Sequence, residues 1–191
     1  MKKRLLGSLI AGVMLVAGSV NAADYVIDTK GAHASIQFKV SHLGYSFVVG
    51  RFNQFEGGFS FDKNDIKASK INVTIDTASL DSNHAERDKH LRSADFLNVT
   101  KFPQADFVSK SVVDKGDGKF VLNGDLTLNG VTKPVAIDAD YIGEGKDPWG
   151  GYRVGFVGHT QFALKDFDIQ MDLGPASSHV TLDLVVEGIK Q

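Results

Sequence analysis

From residue 35 to the end of the chain, apolar side chains recur at every second position, and this constrains the fold more than any other feature of the sequence. Ile36, Phe38 and Val40 alternate with Ser35, Gln37 and Lys39. Phe55, Gly57, Phe59 and Phe61 alternate with Glu56, Gly58 and Ser60, and Ile71, Val73 and Ile75 with Asn72 and Thr74. Phe120, Leu122, Leu126 and Leu128 share a face opposite Asn123, Asp125 and Thr127. Val135 to Tyr141, Tyr152 to Leu164 and Val180 to Val186 continue the pattern. Successive side chains of a strand point to opposite faces, so each run carries one face for a core and one for water. Turn formers separate the runs at Asp62–Asp65, Lys115–Gly118, Asn129–Gly130 and Gly143–Pro148. Asn129–Gly130 suits a tight hairpin, because both residue types tolerate positive φ. Short strands joined by such turns predict an all-β antiparallel barrel or sandwich in one domain.

One segment breaks the rhythm. Ser82 to Asn98 reads as a helix, about residues 83–97, with Asn83 as its cap and Glu86 completing a capping box. Glu86–His90 and Asp88–Arg92 then fall at i,i+4 spacing. Pro103 stops any continuation, and a second short helix or loop is expected over Gly44 to Phe52.

The first residues predict export. Lys2, Lys3 and Arg4 precede an apolar and small-residue run from Leu5 to Val20, which ends at Val20-Asn21-Ala22. A basic start, an apolar middle and a small-residue cut site make a secretory signal peptide. Gly7, Ser8, Gly12, Gly18 and Ser19 dilute the run as a membrane anchor. Residues 1–22 are therefore expected to be cleaved, leaving one periplasmic domain over residues 23–191. Removing them takes away three basic residues and no acid, so net charge moves from −2 to −5. A mildly acidic chain without a basic block predicts no nucleic-acid partner and poor binding to an anionic membrane.

Chemistry is sparse in the pattern. The chain has no cysteine, which excludes thiol catalysis, thiolate metal sites and disulfides. His84 and Asp88 are four apart and would share a helix face. His84 and His90, six apart, are separated by roughly 600° around a helix of 3.6 residues per turn and do not. No metalloprotease order, nucleophile elbow, dinucleotide fingerprint or P-loop is present. No catalytic residue, metal ligand or required cofactor is assigned. The thirteen phenylalanines against one tryptophan and four tyrosines are the informative residues. By themselves they predict only a well-filled core. An eight-stranded barrel, however, is at the size where the interior is either just filled or holds one small ligand.

Several stretches together resemble the YceI-like family: Tyr25-Val-Ile-Asp28, Ile36 to Val40 followed by Ser41-His42-Leu-Gly44, and Val49 to Phe52 with Phe55-Glu-Gly57. Glu86 to Phe96, Phe102-Pro103, Phe107 and Gly124 to Pro134 extend the match over essentially all of the expected mature chain. The resemblance implies an eight-stranded antiparallel lipocalin-like barrel with one short helix near one end, and a pore that takes polyisoprenoids, quinone-like isoprenoids or other long apolar chains. The expected pore wall rests on alternation instead. It comprises Phe38, Val40, Phe59, Phe61, Val73, Ile75, Leu122, Leu126, Ile137, Phe156, Phe162, Leu182 and Leu184, with Phe52, Phe55 and Phe96 at the helix end. His42, Arg51, His90 and Arg92 are the candidate contacts for a polar head. The expected function is a periplasmic carrier of an isoprenoid lipid, not an enzyme, serving a membrane donor and acceptor that the sequence does not identify. The rival readings are a His- or metal-dependent periplasmic enzyme and a stress-linked structural or interaction protein whose barrel is full. An exposed strand edge or helix face would also serve a homodimer, which the sequence does not require.

Overall fold

The computed structural model describes residues 22–171 and 173–191. The expected signal peptide therefore lies, but for Ala22, outside the described residues. Eleven strands form one antiparallel sheet that closes on itself. They are β1 (Ala23–Ile27), β2 (Ser35–His42), β3 (Ser46–Phe52), β4 (Phe55–Phe61), β5 (Lys70–Asp76), β6 (Leu80–Asp81), β7 (Gln104–Gly116), β8 (Lys119–Leu128), β9 (Val131–Lys146), β10 (Tyr152–Ala163) and β11 (His179–Lys190).

Three pairs of short strands are single staves with a break. β1 and β2 both pair with β11, at Gly188–Lys190 and Val180–Val185 respectively, with residues 28–34 looping out between them. β3 and β4 are interrupted only by Asn53 and Gln54, and β5 and β6 by a 3₁₀ turn at Thr77–Ser79. The two interruptions are stitched together: the Asn53 and Gln54 amides donate to the Ser79 carbonyl and Oγ, and the Asp76 amide donates to the Gln54 carbonyl. Counted by stave, the barrel has eight antiparallel members in up-and-down order, closed where β1 joins both β4 and β11.

Alternation sets which side chains point inward. β8 is the clearest case, with Phe120, Leu122, Gly124, Leu126 and Leu128 buried and every intervening residue at least partly exposed. Glycines let the aromatic rings lie flat along this wall. Phe38 is paired across from Gly50 and covers it, and Phe59 covers Gly188; a Cβ at either glycine would overlap the ring. One end of the barrel is sealed by an aromatic cluster. Phe156 meets Phe61, Phe59, Phe120 and Tyr141 edge-on at centroid distances of 5.0, 5.6, 5.9 and 5.9 Å, and Tyr25 stacks on Phe59 at 5.1 Å. Such contacts add to the area these rings bury.

The one α-helix among the described residues, α1 (Ala85–Arg92), lies over the other end. It is shorter than the sequence pattern suggested, because Ser93 turns extended and the chain then coils through Asn98, which has φ 44°. Its cap is His84, not Asn83: the His84 Nδ1 accepts the Arg87 amide, and Asn83 takes a left-handed conformation with its own amide on Asp81. The anticipated helical pairs are also replaced. Asp88 is buried and accepts from the Ser82 amide and hydroxyl at 2.8 and 2.5 Å, while His90 meets Asp95. The Gly44–Phe52 segment, expected as a helix or loop, is a tight turn followed by β3. Phe47 and Val49 face outward there, so the polar half of the alternation that marks a strand is missing.

Candidate functional site

Two apolar cavities lie end to end inside the barrel. The deep one, about 140 Å³, sits beneath the aromatic seal. The wider one, about 370 Å³, opens toward α1, the β2–β3 hairpin and the segment following β10. Ile36, Ile75, Leu126 and Leu182 belong to both and form a waist between them.

Each wall residue expected from alternation borders one cavity or the other. Phe59, Phe61, Val73, Leu122, Ile137, Phe156 and Leu184 surround the deep lobe, and so does Phe55, which was expected at the helix end but pairs with Ile75 at the waist and turns to the deep side. Phe38, Val40, Phe52, Phe96 and Phe162 surround the mouth lobe, and Ile75, Leu126 and Leu182 serve both. Sequence reasoning passed over Phe107 and Val112 of β7 in the deep lobe, and Leu80, Leu97 and Ile169 in the mouth lobe. β7 would have been found by the alternation of Ala105, Phe107 and Val112 once its bulge between Ser109 and Ser111 is allowed for. Leu97 and Ile169 lie in irregular segments that carry no periodic pattern.

The polar rim differs from the expected one. His42 and His90 do border the mouth lobe. Arg51 does not: it is exposed on β3, opposite Asp81 in the ladder. Arg92 does not either, since its guanidinium turns away to the Leu80 carbonyl. Arg87 takes their place. Its guanidinium donates through Nε to Ser82 Oγ at 2.7 Å and through Nη2 to the Ser82 carbonyl at 2.5 Å, which fixes it beside the cavity. Helical spacing holds the clue: Arg87, His90 and Leu91 fall at i, i+3 and i+4 and share one face.

The remaining polar clusters lie outside the lumen. Among the described residues one group, Asp28, His33 and Glu187, has three potential metal ligands close together. Arg153 already satisfies it: Nη1 donates to Asp28 and Glu187 at 2.6 Å each, and Nε donates to Asp147 at 2.7 Å. The hydrogen bonds from His33 and Arg153 hold the Asp28 carboxyl down to about 2. This cluster fastens β1, β10, β11 and the β9–β10 turn together on the outer wall. His84 and Asp88 do not converge, because one caps the helix and the other is buried on Ser82. His159 pairs with Asp183 at 2.7 Å on the exposed outer surface, and Ser178 touches His179 with no acid in that contact. The cavity itself thus offers a shape and an apolar wall, with Arg87, His42 and His90 at the rim.

Comparison with known proteins agrees with this architecture. The YceI-like domain family matches residues 25–188. A UPF0312 protein of Shewanella denitrificans is 70% identical over 191 residues, the whole of both chains. A Shewanella baltica UPF0312 protein is 67% identical over the same span. Among solved structures, the Campylobacter jejuni YCEI protein superposes with a TM-score of 0.71 at 29% identity, over 80% of this chain and 90% of that one. Two more distant structures share the fold. Burkholderia cenocepacia BcnA has a TM-score of 0.74 at 19% identity, over 84% and 98% of the two chains. A polyisoprenoid binding domain from Saccharophagus degradans has a TM-score of 0.64 at 14% identity, over 89% and 99%. With its eight-stave barrel and a family match spanning nearly all the described residues, the chain belongs to the YceI-like family.

Proposed function

We propose that the protein holds a long-chain isoprenoid lipid, polyprenyl or quinone-like, within the barrel and carries or sequesters it in the periplasm between a donor and an acceptor membrane. The observation that carries this reading is the pair of apolar cavities meeting at an aliphatic waist. A void of about 140 Å³ left empty would cost about 3 kcal/mol at ~24 cal/mol per Å³. That is a sizeable part of a domain's net stability. A guest of carbon removes the cost and gains ~0.8 kcal/mol for each CH₂ buried. A chain of about twenty such groups gains roughly 16 kcal/mol gross, against about 4–15 kcal/mol for ordering and lost translation. Affinity therefore needs no specific hydrogen bond, and the rim groups are left to meet the head. The name of the Saccharophagus degradans domain points to the same ligand class.

The function so read is binding, not catalysis. Native mass spectrometry of protein purified from cells, followed by organic extraction, is expected to release an isoprenoid lipid in stoichiometric amount. Protein exposed to membranes and gently handled that yields none would sink the proposal.

A further inference from the structure

The barrel contains three hairpin turns whose two central residues are both left-handed. Asp117–Gly118 has φ 54° and 76°, and Asn129–Gly130 has φ 49° and 75°. These are the residue types that tolerate such a backbone. The third, at the mouth, is Leu43–Gly44, with φ 54° and 80°. Leucine gains nothing from this conformation and is strained by it. It is also 52% exposed, so neither local folding nor core packing accounts for it.

Its neighbours share the anomaly. Tyr45 is 88% exposed and Phe47 64%, and across the mouth Leu173 is 43% exposed. Leu43 and Leu173 also line the mouth lobe, so two members of this exposed group border the cavity itself. The tip is held rigidly. The Leu43 amide donates to Ser177 Oγ at 3.3 Å, and the buried Ser177 hydroxyl donates to the Ser41 carbonyl at 2.6 Å. The tip itself carries no acid: residues 39–47 hold Lys39 and His42, and Lys39 Nζ lies 3.9 Å from Asp183 on the neighbouring β11. Lys39 Nζ sits 5.6 Å from the centre of the Phe47 ring, an ammonium beside an aromatic ring as at membrane–water boundaries.

We propose that the Leu43–Tyr45 tip, with Phe47 and Leu173, docks the mouth of the barrel onto the surface of a phospholipid bilayer, its exposed apolar and aromatic side chains entering the interface. The proposal rests on the lipid-binding reading, since what docks is the opening through which a bilayer component would pass. A second copy of the chain is the competing occupant, because residues 46–50 of β3 pair only with β2 and leave an open strand edge. A second copy seated on the tip would close the mouth instead of supplying it.

The test uses the full mature chain, stripped of lipid. Flotation with phosphatidylethanolamine–phosphatidylglycerol vesicles measures docking, and uptake of decaprenol from detergent micelles measures the cavity separately. Tyr45→Ser/Phe47→Ser, neither of which borders a cavity, is expected to lower vesicle binding at least about tenfold while leaving micelle uptake unchanged. Tyr45→Trp in a Trp149→Phe background should shift its emission to the blue on vesicles. The native Trp149, on the β9–β10 turn at the opposite end of the barrel, should not. Equal flotation of wild type and double variant, or flotation of neither, would overturn the docking proposal. So would a loss of self-association in the double variant with flotation intact, which would assign the patch to a second copy. Failure of the wild type to take up decaprenol from micelles would overturn the cavity reading, whatever the vesicles show.

Discussion

The two lobes of the cavity are built by opposite means. The deep lobe is walled by strands paired on both sides and roofed by rings that hold one another edge to face. The mouth lobe is walled in part by an eight-residue helix, irregular segments and a hairpin tip, and its side chains include every polar group at the rim. A wall of continuous ladder has few ways to rearrange, whereas a wall of short segments opens at low cost. On the proposed function, the deep lobe is thus the part that would reward a buried chain, and the mouth lobe the part that would decide what reaches it.

The largest test of this contrast is Phe156→Ala. It removes the ring that four others touch and should destabilise the lipid-free protein by about 3–5 kcal/mol in urea titration. Added isoprenoid should recover part of that loss by filling the enlarged lobe. If the loss is small and binding vanishes, the seal matters to the guest more than to the fold, and the contrast is broken. Asp88→Ala strikes the mouth. It strands the Ser82 amide and hydroxyl and should cost about 1–3 kcal/mol. Amide exchange would quicken over residues 82–92 and leave β8 and β9 protected. Gly50→Ala sharpens the comparison from within the sheet, because its Cβ would press on the Phe38 ring, which faces the mouth lobe, and on the Asp81 carbonyl. A cost of about 1–2 kcal/mol is expected, with weaker lipid uptake and no change at the seal. Acid titration probes the outer fastening. Asp28, held near 2 against an ordinary 3.8, contributes in full above the ordinary value, and its contribution is lost as pH falls from there toward 2. Asp28→Asn should flatten that part of the stability profile while lowering stability at neutral pH. Smallest of all, Leu43→Asn suits the left-handed turn and should raise stability by a few tenths of a kcal/mol, read as a slight rise in melting temperature.

The same division governs what could be read from the sequence. The deep lobe was legible because β8 and β11 spell their inner faces at every second residue, and the barrel followed from that spacing with the turns. Residues 44–52 were not, since Phe47 and Val49 place apolar side chains on the outer face and erase the alternation. The helix was legible in place but not in its bonding. Asp88 has a salt-bridge partner at i,i+4 on paper, yet it turns to Ser82, a contact set by how the helix docks. Charge makes Arg51 and Arg92 rim candidates in the sequence, but the sheet ladder and the Leu80 carbonyl claim them first. Arg87 was passed over because charge alone does not say which turn of a helix faces the opening.

The waist of Ile36, Ile75, Leu126 and Leu182 has a consequence in time. A chain whose tail has passed into the deep lobe must be withdrawn through that ring before it is free. Each CH₂ drawn back forfeits ~0.8 kcal/mol, about a fourfold factor in dwell time. Two lipids with the same head but tails differing by one isoprene unit would leave at rates orders of magnitude apart, so a barrel holding the proposed guest would discriminate by how long it keeps a molecule, with tail length setting the clock.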